Sequence, residues 1–207
     1  MSEITTNKAI VSAEGLTKAV PEKEHARTSR MVKLLALTGL FIAVEIVTEY
    51  YLSFTLSYTY RVALTFLMRA IAGFTLGAVL GGAAAGVADL YAIVIWGGSM
   101  IPWLTVVRFA QGFTAGAILH KKLTTVKIIG SAVACTFVLN VVSTYARYSY
   151  TGTPFTLTTI TPSLIVYAIS TVAEILIMTV FRTKLAPFIS RFMYNAEMWK
   201  AEEKNED

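Results

Sequence analysis

From residue 31 to residue 187 the chain alternates apolar runs with short polar breaks, and each run is about as long as a lipid bilayer is thick. A hydrocarbon core about 30 Å thick needs about 20 helical residues per crossing, so this stretch has room for six crossings joined by tight turns. Composition points the same way: 55% of the 207 residues are hydrophobic and only 15% charged, with a mean hydropathy of +0.61, which places the chain in the membrane class. The sequence therefore predicts an all-α membrane protein of six transmembrane helices in one bundle. Residues 1–30 form a polar tail, 31–187 the membrane domain, and 188–207 a second charged tail; an amphipathic segment, Pro187 to Trp199, leads into it and suits an interface. A net charge of +5 in such a chain is no argument for nucleic acid. Cys135 is the one cysteine and forms no internal disulfide. His25 and His120 lie outside the apolar runs, so neither a metal site nor a cofactor is expected.

The spans differ in what they carry. Span 1, from about Met31 to Leu52, holds Gly39 and Ala43, a small-xxx-small pair on one helix face, then Glu45 and Glu49 one turn apart. Ser53 to Tyr60 reads as an uncharged polar and aromatic loop. Span 2 runs from about Arg61 to Leu80, with Arg69 two turns inside and Gly73, Gly77 and Gly81 spaced by four, a ladder that lets another helix come close. Gly81 and Gly82 are the expected turn into span 3, which carries Asp89 and ends near Trp96. Pro102 opens span 4, where its missing N–H is harmless; the stretch Ile101 to Gly116 holds Trp103, Arg108 and Gln111. Span 5 runs from about Ile128 to Tyr148 with Asn140 and Tyr145, and span 6 ends near Phe181 with Glu174 in its middle.

Lysine and arginine counts set the orientation, because cytoplasmic flanks carry the excess. Six lie in residues 1–33, three in the loop after span 4 and five from Arg182 onward, out of 18 in all. These segments share one side only if an even number of spans separates them, which four and then two satisfy, so both termini are expected in the cytoplasm. Arg61, Arg69, Arg108 and Arg147 are the remainder. Arg69 falls about 12 Å, and Arg108 about 10 Å, below the outer ends of their spans. A guanidinium near the bilayer centre costs at least about 2.5 to 3.5 kcal/mol, so each needs a partner or a wet cavity. A polar chamber opening outward, its cations awaiting an anionic ligand, is one reading; pairing with Glu45, Glu49 or Asp89 as structural clamps is the other.

The run Tyr60 to Gly82, YRVALTFLMRAIAGFTLGAVLGG, followed by Gly86, Asp89 and Leu90, resembles the second and third helices of the folate-type substrate-binding S components of energy-coupling factor (ECF) transporters. Pro102, Thr105, Gly112 and Gly116 keep that family's spacing in the fourth helix. The likeness covers roughly residues 31 to 187; Met68 and Ala78 stand where the family usually has proline, and Arg108 where it has a small residue. The resemblance implies a multi-pass protein of a bacterial cell membrane that binds one water-soluble vitamin at its outer side; the excess of arginine over carboxylate in the outer half favours an anionic one, folate or pantothenate. It also implies partners: a transmembrane coupling subunit, met through Gly39 and Ala43, and two cytoplasmic ATPases. The family's site, carried onto this chain, nominates Trp96, Trp103, Arg108, Gln111, Asn140 and Tyr145, with Arg61 and Arg69 behind them.

The residues bear independently on two further points. No G-x-x-x-x-G-K-[ST] phosphate loop occurs, so energy from ATP has to come through a partner. No histidine lies in a span and no paired carboxylates or serine–histidine pair is present, which leaves an intramembrane enzyme without support. The alternative to a binding subunit is a stand-alone secondary transporter of a small polar or anionic solute, for which Asp89 or Glu174 would be the titrating carboxylate.

Overall fold

The computed structural model describes residues 25, 28–49, 51, 53–57, 60–63, 65–96, 101–152, 154–195 and 198. Most of the first polar tail and residues 199–207 of the second lie outside them. The elements are α1 (Thr28–Glu49), β1 (Ser53–Ser57), β2 (Tyr60–Ala63), α2 (Thr65–Trp96), α3 (Pro102–Leu119), α4 (Thr125–Ser131), a π-helical turn (Ala132–Val138), α5 (Leu139–Thr151), α6 (Leu157–Lys184) and α7 (Ala186–Asn195). Among the described residues four helical stretches are long and apolar enough to cross a membrane: Thr28–Glu49, Thr65–Ile95, Thr125–Thr151 and Leu157–Lys184. The chain is thus a multi-pass, helical membrane protein.

α2 is not one rod. A Cβ added to Gly81 would lie 3.1 Å from the Gly73 Cα, whereas eight residues of unbroken helix would hold the two about 12 Å apart. The chain therefore doubles back at Gly77, whose φ of 83° and ψ of −173° are open to glycine and to almost nothing else. This corrects the expected turn at Gly81 and Gly82: those residues lie in the returning arm, and Gly81 is packed against Gly73. With its two arms counted separately, and α4 to α5 as one rod, the described residues form six long helical rods. The first arm, residues 65–76, is only about 18 Å long, short of a full crossing. The expected start of span 2 at Arg61 is corrected with it. Residues 53–57 and 60–63 form a two-stranded antiparallel ribbon, Thr55 opposite Arg61 and Ser53 opposite Ala63, where the sequence reading placed a loop.

α3 lies antiparallel to the returning arm, with Thr105 beside Asp89 and Gly116 beside Gly77. A Cβ at Gly112 would run into the Gly81 carbonyl oxygen, and one at Gly116 into that of Gly77. Backbone meets backbone here, the closest approach helices can make.

Helix ends follow their sequence signals. Pro102 opens α3, Thr124 caps α4 by accepting from the Lys127 N–H, Thr156 and Thr159 form a reciprocal cap on α6, and Gly152 closes α5 with φ 69°. One end of the bundle is apolar inside and basic outside. Phe74, Leu119, Ile128, Met178, Phe181 and Ala186 make its core, Phe74 meeting Phe181 edge-on at 6.1 Å. Around it Lys121 N–H donates to the Phe74 carbonyl at 3.4 Å, Arg182 to Thr125 at 2.7 Å and Arg30 to the Met198 carbonyl at 2.9 Å. The three lysine- and arginine-rich segments meet at this end. α7 docks there through buried Met193 and leaves Phe188 and Phe192 exposed, the two-faced helix its sequence predicts.

Candidate functional site

Above the basic end, each of the long rods brings a polar side chain to one cluster, the returning arm through Asp89 at its margin. Arg69 sits one turn before Gly73 on the first arm of α2, so the close packing of that glycine fixes its depth. Its Nε donates to Glu45 of α1 at 2.6 Å and its Nη1 to Gln111 Oε1 at 2.8 Å. Gln111, beside Gly112 on α3, is the hub. Its Oε1 also accepts from Arg108 Nη1 at 3.1 Å, while its Nε2 donates to the Cys135 carbonyl at 3.1 Å and to Asn140 Oδ1 at 3.0 Å. Two acceptor and two donor positions are all a glutamine side chain has, and all four are used. Only this orientation of the amide serves two guanidiniums on one side and two oxygens on the other.

The π-helical turn carries Cys135 and Thr136, the residues through which the cluster reaches this rod, a register that recurs at functional sites. Asn140 Nδ2 donates to the Thr136 carbonyl at 2.6 Å, and the Thr136 hydroxyl donates to Glu174 Oε2 of α6. Phe66, Arg69, Ala70, Gln111, Ala115, Cys135, Thr136, Asn140 and Glu174 surround a small polar cavity of about 10 Å³, about the room one water molecule needs.

The charges pair differently from the expected balance. Arg69 has Glu45, with side chains 7% and 3% exposed, and Arg108 has Asp89 at 3.7 Å, 22% and 17% exposed. Asp89 is held in turn by Thr105 at 2.8 Å. Both arginines thus take the internal carboxylates that the clamp reading named. Glu174, 2% exposed, adds a carboxylate that forms no ion pair among the described residues. The interior is not short of anions.

Of the residues nominated from sequence, Arg69, Gln111 and Asn140 line the cavity and Arg108 adjoins it through Gln111. Trp103, 69% exposed, and Tyr145, 57% exposed, face out of the bundle, Tyr145 resting edge-on against Phe155 at 5.3 Å. Arg61 lies on β2 and Trp96 ends α2; the side chains of both lie outside the described residues. Phe66, Thr136 and the Cys135 carbonyl join the site without having been nominated, and Glu174 does so from the role of a titrating carboxylate. An acid in the middle of an apolar span was the readable signal for Glu174; its partner on another helix gave none. Gly39 and Ala43 are exposed on α1, and a Cβ at Gly39 would meet nothing within 4 Å.

No family model and no curated protein matches this sequence. Solved structures do. The crystal structure of FolT bound with folic acid superposes with a TM-score of 0.62 at 22% identity, covering 70% of this chain and 88% of that one. The S component of a bacterial ECF transporter superposes with a TM-score of 0.55 at 16% identity, covering 77% of this chain and 98% of that one. The fold of this chain is that of ECF transporter S components, as the glycine and proline spacing of the second to fourth helices implied.

Proposed function

We propose that this chain is the substrate-binding S subunit of an ECF-type importer in a bacterial cell membrane. It captures a water-soluble vitamin at the outer face, folate or pantothenate, and delivers it inward with a transmembrane coupling subunit and two cytoplasmic ATPases. The observation that carries the reading is an S-component fold that spans 88% of FolT, with a buried polar cluster in its middle. In this reading the helical rods lie in the membrane with both termini in the cytoplasm, the basic end of the bundle being the inner one under the positive-inside rule. Arg61, Trp96, Trp103 and Tyr145 belong to the outer rim in this reading, and Gly39 and Ala43 to the face that meets the coupling subunit.

One feature favours a second reading. Glu174 is a buried carboxylate in a span, the element a proton-coupled carrier requires. The purified protein separates the two. Thermal-shift screening against folate, pantothenate, cobalamin, thiamin, riboflavin, biotin and pyridoxine is expected to give one strong stabilisation, since a ligand at 100 times its Kd adds about 2.7 kcal/mol. Mild purification from its own cells is expected to bring ATPases along. Uptake by the chain alone in vesicles, driven by a proton gradient, would establish the secondary transporter instead.

A further inference from the structure

We propose that α7 and the end of α6 form a binding surface for anionic phospholipid. α7 lies flat in the membrane surface, with Leu185, Phe188 and Phe192 in the acyl layer and Arg182, Lys184 and Arg191 at the headgroup phosphates. The inference goes beyond the vitamin-binding reading and stands whichever solute the bundle carries.

The direction of α7 is set by what it buries. Pro187 has no N–H for the Thr183 carbonyl, and α6 gives way to α7 at Leu185. Had α6 run on straight, α7 would leave the bundle and bury nothing. Instead Ala186 and Met193 are buried, and Ile189 packs on the apolar core that holds Phe74 and Phe181. The Met193 carbonyl accepts from the Met198 N–H at 3.0 Å, and the Met198 carbonyl accepts from Arg30, at the start of α1, at 2.9 Å. α7 therefore runs from the foot of α6 toward the foot of α1, across the end of the bundle and along the plane of the membrane.

Two apolar stripes follow α7. Ala186, Ile189 and Met193 face the rods. Leu185, Phe188 and Phe192 repeat that spacing one residue earlier and are 51%, 73% and 56% exposed. One residue is about 100° of helix, so the second stripe points sideways, out of the flank of the bundle at the level where the rods end. Ser190, Arg191 and Tyr194 fill the arc that neither stripe occupies. Apolar side chains at the foot of membrane-crossing rods, with a polar arc below them, make a helix that lies in a membrane interface.

Charge decides which lipid. Among the described residues this end carries lysines and arginines from α1, the 120–127 loop, α6 and α7, and no acid. Elsewhere the formal charges cancel: residues 1–27 hold four bases and four acids, and the four arginines from 61 to 147 stand against the four acids from 45 to 174. The net charge of +5 is thus the charge of this end and the tail that follows it. Anionic lipid attracts each cation held near its surface, and it accepts apolar side chains beside those cations without a fixed register.

The test places a bimane on the cysteine of Phe188→Cys in the full chain, reconstituted in vesicles of phosphatidylcholine and phosphatidylglycerol in equal parts. Cys135 is buried, so the parent protein is the labelling control. Doxyl-labelled lipid is expected to quench the bimane, and aqueous iodide is not. Doxyl-phosphatidylglycerol is expected to reach half-quenching at about one-fifth or less of the amount needed of doxyl-phosphatidylcholine, the factor that one engaged cation supplies. Arg182→Gln, Lys184→Gln and Arg191→Gln together are expected to make the two lipids quench alike while leaving quenching in place. About 1 M salt is expected to narrow the difference without any of these three substitutions, so a triple variant that does not fold leaves the question decided. Quenching by iodide in place of lipid overturns the inference and makes the stripe a surface for a protein partner. Equal quenching by the two lipids with all three bases present overturns it as well. No vitamin enters the test, so either failure leaves the vitamin-binding reading standing.

Discussion

The side of the bundle where α2 meets α3 and the side where α5 meets α6 hold helices together by opposite means. Lipid is as apolar as leucine, so helices in a membrane gain little from hiding apolar side chains from it. They associate through close packing and polar contacts. α2 and α3 use the first: Gly73, Gly81, Gly112 and Gly116 bring backbone onto backbone. The other side uses the second. Thr136 meets Glu174, Thr144 meets Tyr167 at 2.5 Å, and Gln111 reaches across from α3 to Asn140. Side chains that bridge hold helices apart, and the space between them is the cavity. Backbone contact leaves no such space but positions sharply, and Arg69, Arg108 and Gln111 each stand within a turn of one of these glycines.

The strongest way to break this contrast is to add bulk to the glycine side. Gly116→Ala places a Cβ against the Gly77 carbonyl, at the turn of the α2 hairpin. A backbone neighbour gives way less readily than a side chain, so the expected loss is at or above the usual 1 to 3 kcal/mol of about one overpacked position. Gly116→Leu is expected to yield no monodisperse protein at all. Thermal unfolding in detergent with size-exclusion chromatography measures both. An alanine variant as stable as the parent would mean that α2 and α3 do not touch here.

The next effect compares the two arginines. Arg69 and Glu45 are nearly sealed from solvent, and Arg69→Met leaves Glu45 buried and unpaired, at an expected cost of about 3 to 5 kcal/mol. Adding Glu45→Gln to that variant is expected to restore part of the loss. Arg108 holds Asp89 at a longer distance, 3.7 Å against 2.6 Å, so Arg108→Met is expected to cost less stability than Arg69→Met. Its effect on vitamin binding is expected to be the smaller of the two, since Arg69 lines the cavity and Arg108 reaches it only through Gln111. Equal destabilisation by the two methionine variants would make both arginines clamps of one kind.

Spacing in the sequence carried the α2–α3 side and could not carry the other. Glycines four apart announce a close contact whatever they touch, and the rise per residue puts Arg69 and Arg108 at similar depth before any partner is known. Which of Gly77, Gly81 and Gly82 makes the turn is decided by the fit to α3: Gly81 is needed against Gly73 and Gly112, and so Gly77 takes the positive φ. Glu174 with Thr136, and Arg108 with Asp89, lie on different rods, and no periodicity along one rod specifies its neighbour's register. The ribbon was missed for another reason. Phe54, Thr55, Tyr60 and Val62 favour strand, but flanking membrane helices made a loop the simpler expectation.

The smallest expected effect on the fold comes from the same kind of substitution moved to α1. Gly39→Leu with Ala43→Leu adds more bulk than Gly116→Ala, but on a face with nothing within 4 Å of the new Cβ at residue 39. Where no neighbour is displaced, a substitution changes stability by about 0.5 kcal/mol or less. Thermal unfolding and vitamin binding of the purified protein are therefore expected to stay as in the parent. Transport in cells is expected to fail, because two leucines in place of a small-residue pair prevent a partner helix from coming close. Glycine would then serve two ends in one chain, closing the bundle at Gly116 and keeping a face open at Gly39. Loss of binding together with transport would show that the α1 face packs inside the bundle, and undiminished transport would mean that the coupling subunit meets a different surface.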